Sequence, residues 1–207
     1  MPNWVENAIT FLSSDKSIID DIEKAIRELK NCRVYSAHDY SDDCQHQCVE
    51  YEHTCVLGGY EYNHWRDRSV HTTCKGFLWY LNPLENGWDY ELALNRWGTK
   101  WDINQVDYKR NGKYEILVIG NTPWSIPYSA LYSFAQRNKV EITDLWYEES
   151  YNFGKYQTHK ATEEVQWYLG DFNSEKQLRN EVPQELIEWF DLVEQLEQML
   201  IIEEESQ

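Results

Sequence analysis

Residues 88–102, Trp-Asp-Tyr-Glu-Leu-Ala-Leu-Asn-Arg-Trp-Gly-Thr-Lys-Trp-Asp, place three tryptophans, one glycine and an Arg/Lys pair between acidic ends. Neither an amphipathic helix nor an ordinary strand requires that combination. Residues 89–95 are expected to form a strand that runs into a tight turn at Gly98, with Trp97 and Trp101 framing Thr99 and Lys100. Indole rings bury a large area and keep one N–H to satisfy, so they anchor irregular turns well. Trp88, Arg96, Trp97, Lys100 and Trp101 are the candidate binding residues, because flat rings beside cations can stack a nucleotide base and hold a phosphate. The plainer reading, Arg–aromatic packing that locks a core, carries more weight.

The remaining periodicities define a plan. Residues 4–12 alternate as a strand, and Ser13-Ser14-Asp15 offer capping oxygens to a helix whose stripe is Ile18, Ile22, Ala25, Ile26 and Leu29. On its wet side Asp20–Lys24 and Glu23–Arg27 stand at i,i+4. Residues 77–81 are apolar and predict a strand, and 114–120 are apolar and β-branched enough for a central one. Thr122-Pro123-Trp124-Ser125-Ile126-Pro127 caps a helix ending near Asn138, with Leu131, Phe134 and Ala135 inward. Strands are expected at 140–149, 151–160 and 165–169, and a linker at 173–182. After it, Leu186, Trp189, Phe190, Val193, Leu196 and Leu200 form one stripe of a final helix. Strand–helix–strand–strand–helix–strand is the split βαβ order, so the expected fold class is α+β. It comprises a ferredoxin-like antiparallel sheet over 1–171, a Cys/His-rich insertion at 31–75, and an acidic C-terminal helical arm at 172–207.

Charge is uneven. The chain of 207 residues carries a net −17, of which −11 falls in 163–207, where thirteen acids face only Lys176 and Arg179. Such a field repels phosphate backbones, so nucleic acid is disfavoured as a partner. No apolar run reaches membrane length and no secretion signal follows Met1, so the cytosol of the host cell is the expected compartment and the five cysteines are expected to be reduced.

All five cysteines and five of the six histidines lie in the insertion. Cys44-x3-Cys48 and His71-x2-Cys74 supply the soft and borderline ligands that a tetrahedral structural zinc takes, with His53 and Cys55 as substitutes. The alternative is buried thiols acting as small hydrophobes. A Cys–His nucleophile lacks any accompanying signature, and no P-loop, nucleophile elbow, zincin or dinucleotide motif occurs. No cofactor beyond that zinc is called for, and the chain is expected not to be an enzyme.

Met1-Pro2-Asn3-Trp4 with Asn7, then Trp97-Gly98-Thr99-Lys100-Trp101-Asp102, then Thr122-Pro123-Trp124-Ser125-Ile126-Pro127, then Tyr147-Glu148-Glu149 with Phe153-Gly154 occur in that order. Together they resemble the YubB-like (Api-type) family of phage and plasmid accessory proteins. The resemblance covers 1–29 and 77–154. It implies a ferredoxin-like domain and a mobile-element origin, and supplies no catalytic residues. With the acidic arm, it leads to the expectation of a non-enzymatic accessory protein that binds and inhibits a host protein with a basic surface, such as a nucleic-acid-handling defence complex. Glu194 and Glu197 of the arm are candidate contacts, and the helix stripe is a candidate surface for a homodimer. The alternative is single-stranded nucleic-acid binding on the Trp-rich stretch.

Overall fold

The computed structural model describes residues 3–31, 76–84, 89–158 and 163–205. Its centre is β1 (Trp4–Leu12), which pairs antiparallel with β3 (Glu115–Pro123) on one side and β4 (Glu141–Glu148) on the other. With β2 (Asn104–Arg110), β5 (Asn152–Gln157) and β6 (Glu163–Tyr168) the described sheet has six strands, in the order β2-β3-β1-β4-β5-β6. All neighbours are antiparallel. The first four strands follow the ferredoxin-like split βαβ order, and β5–β6 extend it beyond β4.

Alternation sends side chains to opposite faces. On one face Val5, Ile9, Phe11, Ile116, Val118 and Ile142 meet Ile19, Ile22 and Ile26 of α1 (Lys16–Asn31) and Leu131 and Phe134 of α4 (Tyr128–Asn138). Phe11 packs edge-on against Phe134 at 5.9 Å and Phe77 at 6.0 Å. Arg110 of β2 ties the sheet edge to α1 through Asp20 at 2.9 Å and Glu23 at 3.0 Å. Glu23 also pairs with Arg27 as expected, whereas Asp20 pairs with Lys16 rather than Lys24.

Two expected strands are helices. Residues 77–81 form α2 (Phe77–Leu81) and 89–95 belong to α3 (Tyr90–Trp97). In α3, Asp89 caps the first turn by accepting the Leu92 N–H, and Gly98 closes the last with a left-handed φ of 87°. Ala93 and Trp97, four apart, both point inward, so the buried period is 3.6 rather than 2. In α2 four of the five side chains are buried, which one face of a strand does not achieve.

The C-terminal segment is more broken than expected, and it is not detached. The linker holds α5 (Glu175–Glu181), capped by Ser174, and the single helix is two, α6 (Gln184–Trp189) and α7 (Leu192–Glu205). They separate at Phe190 and Asp191, the latter with φ 50°. Leu178, Leu186, Ile187, Phe190, Leu192 and Leu196 cover the second face of the sheet over Leu145, Tyr147, Phe153 and Trp167. Tyr147 stacks on Phe190 at 5.6 Å and its hydroxyl donates to Gln195. Leu186, Phe190 and Leu196 of the stripe offered for a homodimer are turned toward the chain's own sheet, while Trp189 is exposed.

Phe190→Ala is accordingly expected to destabilise the whole domain by about 3–5 kcal/mol, read as a fall in the urea midpoint of one cooperative transition. A detached helix would leave that midpoint unmoved.

Candidate binding surface

The described residues of the four motif segments converge at one end of the sheet, where β1 begins and β3 and β4 end. Buried Asn7 donates through Nδ2 to Val5 O (2.7 Å), Gly120 O (3.1 Å) and Thr122 Oγ1 (3.0 Å). Thr122 Oγ1 donates on to Ser125 O at 2.8 Å, Ser125 Oγ donates to Gly98 O at 2.5 Å, and Thr99 Oγ1 donates to Pro123 O at 2.8 Å. The chain is thereby stitched from β1 through β3 to the end of α3. Asn3 joins in, its carbonyl accepting the Trp124 N–H and its amide donating to Ser150 Oγ, both at 2.8 Å. Burial pushes the Glu148 carboxyl up, but hydrogen bonds from Asn152, Asn3 and Ser150 outweigh it and hold the group below its ordinary range.

The Trp-Gly-Thr-Lys-Trp-Asp block divides by direction. Trp97 is buried and donates Nε1–H to Asn82 O at 2.7 Å. Gly98 has Tyr128 lying against it: a Cβ there would stand 2.7 Å from the ring. Asp102 accepts the amides of Leu78 (2.8 Å), Trp79 (3.1 Å) and Ile103 (2.8 Å), and so starts α2 from a distant part of the chain. Burial pushes its carboxyl up to about 6 despite those three donors. Only Lys100 and Trp101 turn outward.

Around Lys100 Nζ stand the rings of Trp101 (4.5 Å to the centroid), Trp124 (5.1 Å) and Tyr90 (5.3 Å). Trp101 and Trp124 lie 5.8 Å apart, and Trp124 holds a left-handed φ of 64° that projects its ring outward from the connector. Tyr90 is 47% exposed, Trp101 38% and Trp124 49%, and exposed Leu94 and Tyr128 continue the patch along α3 and α4. Three aromatic faces around one ammonium hold it by cation–π attraction, which fixes the rings' spacing while their outer surfaces stay wet.

Of the predicted binding residues, Lys100 and Trp101 belong to this patch. Arg96 is exposed in the last turn of α3, and its carbonyl accepts from Asn82 Nδ2 at 2.6 Å. Trp97 is a core residue, and Trp88 lies outside the described residues. Glu194 and Glu197 are exposed on α7, across the sheet from Lys100. Sequence reasoning missed Tyr90, Trp124 and Tyr128. The signal available for Trp124 was a tryptophan in a Pro-bounded connector with no helical or strand period to bury it. The proposed zinc ligands Cys44, Cys48, His71 and Cys74, with His53 and Cys55, lie outside the described residues. Among the described residues no group of three or more His, Cys, Asp or Glu is placed to hold a metal, and no helix is long and apolar enough to cross a membrane.

No family model matches the chain. It is 30% identical over 124 residues to the DNA-directed RNA polymerase subunit beta' of a Nitratiruptor species, a stretch covering 60% of this chain and 7% of that subunit. The chain therefore spans a small part of that relative's length. Among solved structures it is similar to the Api92 protein of Yersinia pseudotuberculosis, of the family DUF1281, at 9% identity and a TM-score of 0.42 over 81% of this chain and 98% of the other.

Asp102 makes a pH prediction. Its folded value of about 6 lies above the ordinary 3.8, so the stability it contributes is full below about pH 4 and is lost as pH rises through 6. Asp102→Asn should flatten that part of the fall in denaturation midpoint between pH 4 and 7. By losing an acceptor it should also lower stability at pH 4 by about 1–3 kcal/mol. An unchanged slope would show that the carboxylate does not titrate there.

Proposed function

We propose that this chain is a non-enzymatic binding protein that grips a partner protein with the aromatic surface formed by Tyr90, Trp101, Trp124 and Tyr128. The observation that carries the reading is the set of three exposed rings held around Lys100 on a hydrogen-bonded base. Tryptophan and tyrosine dominate the energetic centres of protein interfaces, and a contiguous exposed apolar patch on a globular fold marks a contact site more often than chance does. The motifs that build the patch are those that resemble the Api-type accessory proteins of phages and plasmids, and that resemblance supports a mobile-element origin; on that origin and the acidic C-terminal charge rests our reading of the partner as a host protein that is inhibited. A basic partner suits the −17 charge, with α5–α7 providing the steering field from the far side of the sheet.

A second reading has one specific support: rings beside a lysine also stack single-stranded nucleic acid. The acidic field opposes it.

The test is capture from host lysate with wild type and with the double variant Trp101→Ala, Trp124→Ala, identified by mass spectrometry. The variant is expected to melt near the wild-type temperature, since both side chains are exposed, and to lose the partner. Equal recovery of the same partner by both proteins would refute the aromatic surface as the contact. Salt-sensitive binding of oligonucleotides that the same double substitution removes would move the assignment to the second reading. Truncation after Asp171 is unsuitable here because it removes the cover of Phe153 and Trp167. Glu194→Lys with Glu197→Lys tests steering instead, and is expected to slow association with little effect on dissociation.

A further inference from the structure

Beside the aromatic patch, α4 and the β5–β6 hairpin border an open groove of about 540 Å³. Tyr128 and Tyr132, one helical turn apart and 49% and 45% exposed, present their rings along it, with Asn95 and Ser133 at the rim. Tyr156 lines the groove, yet it is only 2% exposed and its hydroxyl has no hydrogen-bond partner. Tyr156 thus forms the closed floor of the groove, whose accessible polar wall is Glu164.

The strand register explains what surrounds it. Asp144 of β4 stands directly opposite Tyr156, and Tyr156 directly opposite Glu164 of β6, so the three form one cross-strand row on the same face. Toward the centre the row continues into Ile9, the partner of Asp144 on β1. The row therefore passes from apolar core, through a buried carboxyl without a partner, to a phenol and then to an exposed carboxylate at the sheet edge. Both ionisable groups beside the phenol in this row are carboxyls, and none of the residues lining the groove is basic.

We propose that this groove is a socket for an arginine side chain of the partner protein, its guanidinium stacked on Tyr128 and Tyr132 and paired with Glu164. The inference rests on the protein-binding reading and names the chemistry the partner brings. Arginine suits the site better than lysine because a planar guanidinium stacks on rings and donates several N–H groups in one plane toward carboxylate oxygens, while an ammonium is a strongly hydrated point charge. The chain's charge of −17 favours a cation over a neutral guest. Burial first, then the neighbouring Glu164 and Tyr132, push the Tyr156 phenol up to about 12, so the floor of the groove stays neutral and the charge offered to the guanidinium is that of Glu164.

The experiment is calorimetric titration of the intact protein with N-acetyl-arginine methylamide, and with the lysine and citrulline counterparts as probes of charge and planarity. The arginine probe is expected to saturate and to bind on the order of tenfold more tightly than either counterpart. Glu164→Gln should remove most of that preference. Tyr132→Ala should weaken the arginine probe severalfold by removing one stacking face, with a melting temperature near that of wild type because the ring is exposed; an unchanged titration would overturn the stacking. Equal binding of arginine and citrulline, equal binding of arginine and lysine, or no saturation by the arginine probe would each overturn the socket. The probe does not touch Trp101 or Trp124, so its failure leaves partner capture by those rings standing, and failed capture leaves the titration interpretable.

Discussion

The carboxamide of Asn7 holds together the end of the sheet that carries the aromatic patch. It sits on the central strand, fully inside, where one amide group donates to its own strand and to two groups of β3. Thr122, so oriented, reaches Ser125, and Ser125 reaches the carbonyl of Gly98, the residue that ends α3. Each link is a polar group removed from water that keeps its value only while its partner stays in place. The platform of Trp101 and Trp124 consequently inherits its rigidity from the sheet through hydrogen bonds rather than from packing of the rings. Buried polar chains of this kind fix a single arrangement, whereas apolar contacts would tolerate several.

Much of the framework was legible in the sequence because it rests on long periodic segments. The 3.6-residue stripes of α1 and α4 and the β-branched run of β3 bury one face each, and hydrophobic period reports that directly. Failures came where local capping or remote polar contact overrode the apparent pattern. Residues 89–95 look extended if Tyr90, Leu92 and Leu94 are counted as one face, but those three are exposed or half-buried, and the residues that go inside are Ala93 and Trp97. Asp89 and Gly98 were helix signals in plain view. For α2 no local signal suffices, since the cap that starts it is Asp102, far along the chain. The candidate surface was half visible for the same reason: Lys100 and Trp101 are neighbours in sequence, whereas Trp124 and Tyr90 join them only after α3 and the connector fold together.

The two motif glycines illustrate how identical chemistry serves different ends. Gly98 is needed for its left-handed backbone and for the closeness of Tyr128. Gly154 is needed for space alone: a Cβ there would lie 2.7 Å from the Trp146 ring and 2.4 Å from Val165 O. Trp146 stands opposite Gly154 in the register and lies across β5 where a side chain would otherwise stand. The Phe-Gly pair therefore gives β5 one residue for each face, with Phe153 feeding the core under α5–α7 and Gly154 yielding to the core under α1 and α4.

That arrangement concentrates unsatisfied polarity in one place. Asp144, Trp146 and Tyr156 sit on the same face of β4 and β5, all buried, and neither the Asp144 oxygens nor Trp146 Nε1 nor the Tyr156 hydroxyl has a hydrogen-bond partner; nor has Asn7 Oδ1, opposite Trp146 on β1. Burial pushes the Asp144 carboxyl well above its ordinary value, and the nearby Ala8 N–H, pulling the other way, does not reach hydrogen-bonding geometry. A carboxyl raised in the folded state is easiest to keep when protonated, so its contribution declines as pH rises through the folded value, in the same sense as Asp102. Valine or leucine at 144 would fill comparable space without the penalty of desolvating a carboxyl. Three such groups side by side, on strands otherwise filled with satisfied or apolar side chains, lower stability together, and folding alone gives no reason for them to be adjacent. The row meets solvent at Glu164, which lines the groove beside Tyr128 and Tyr132.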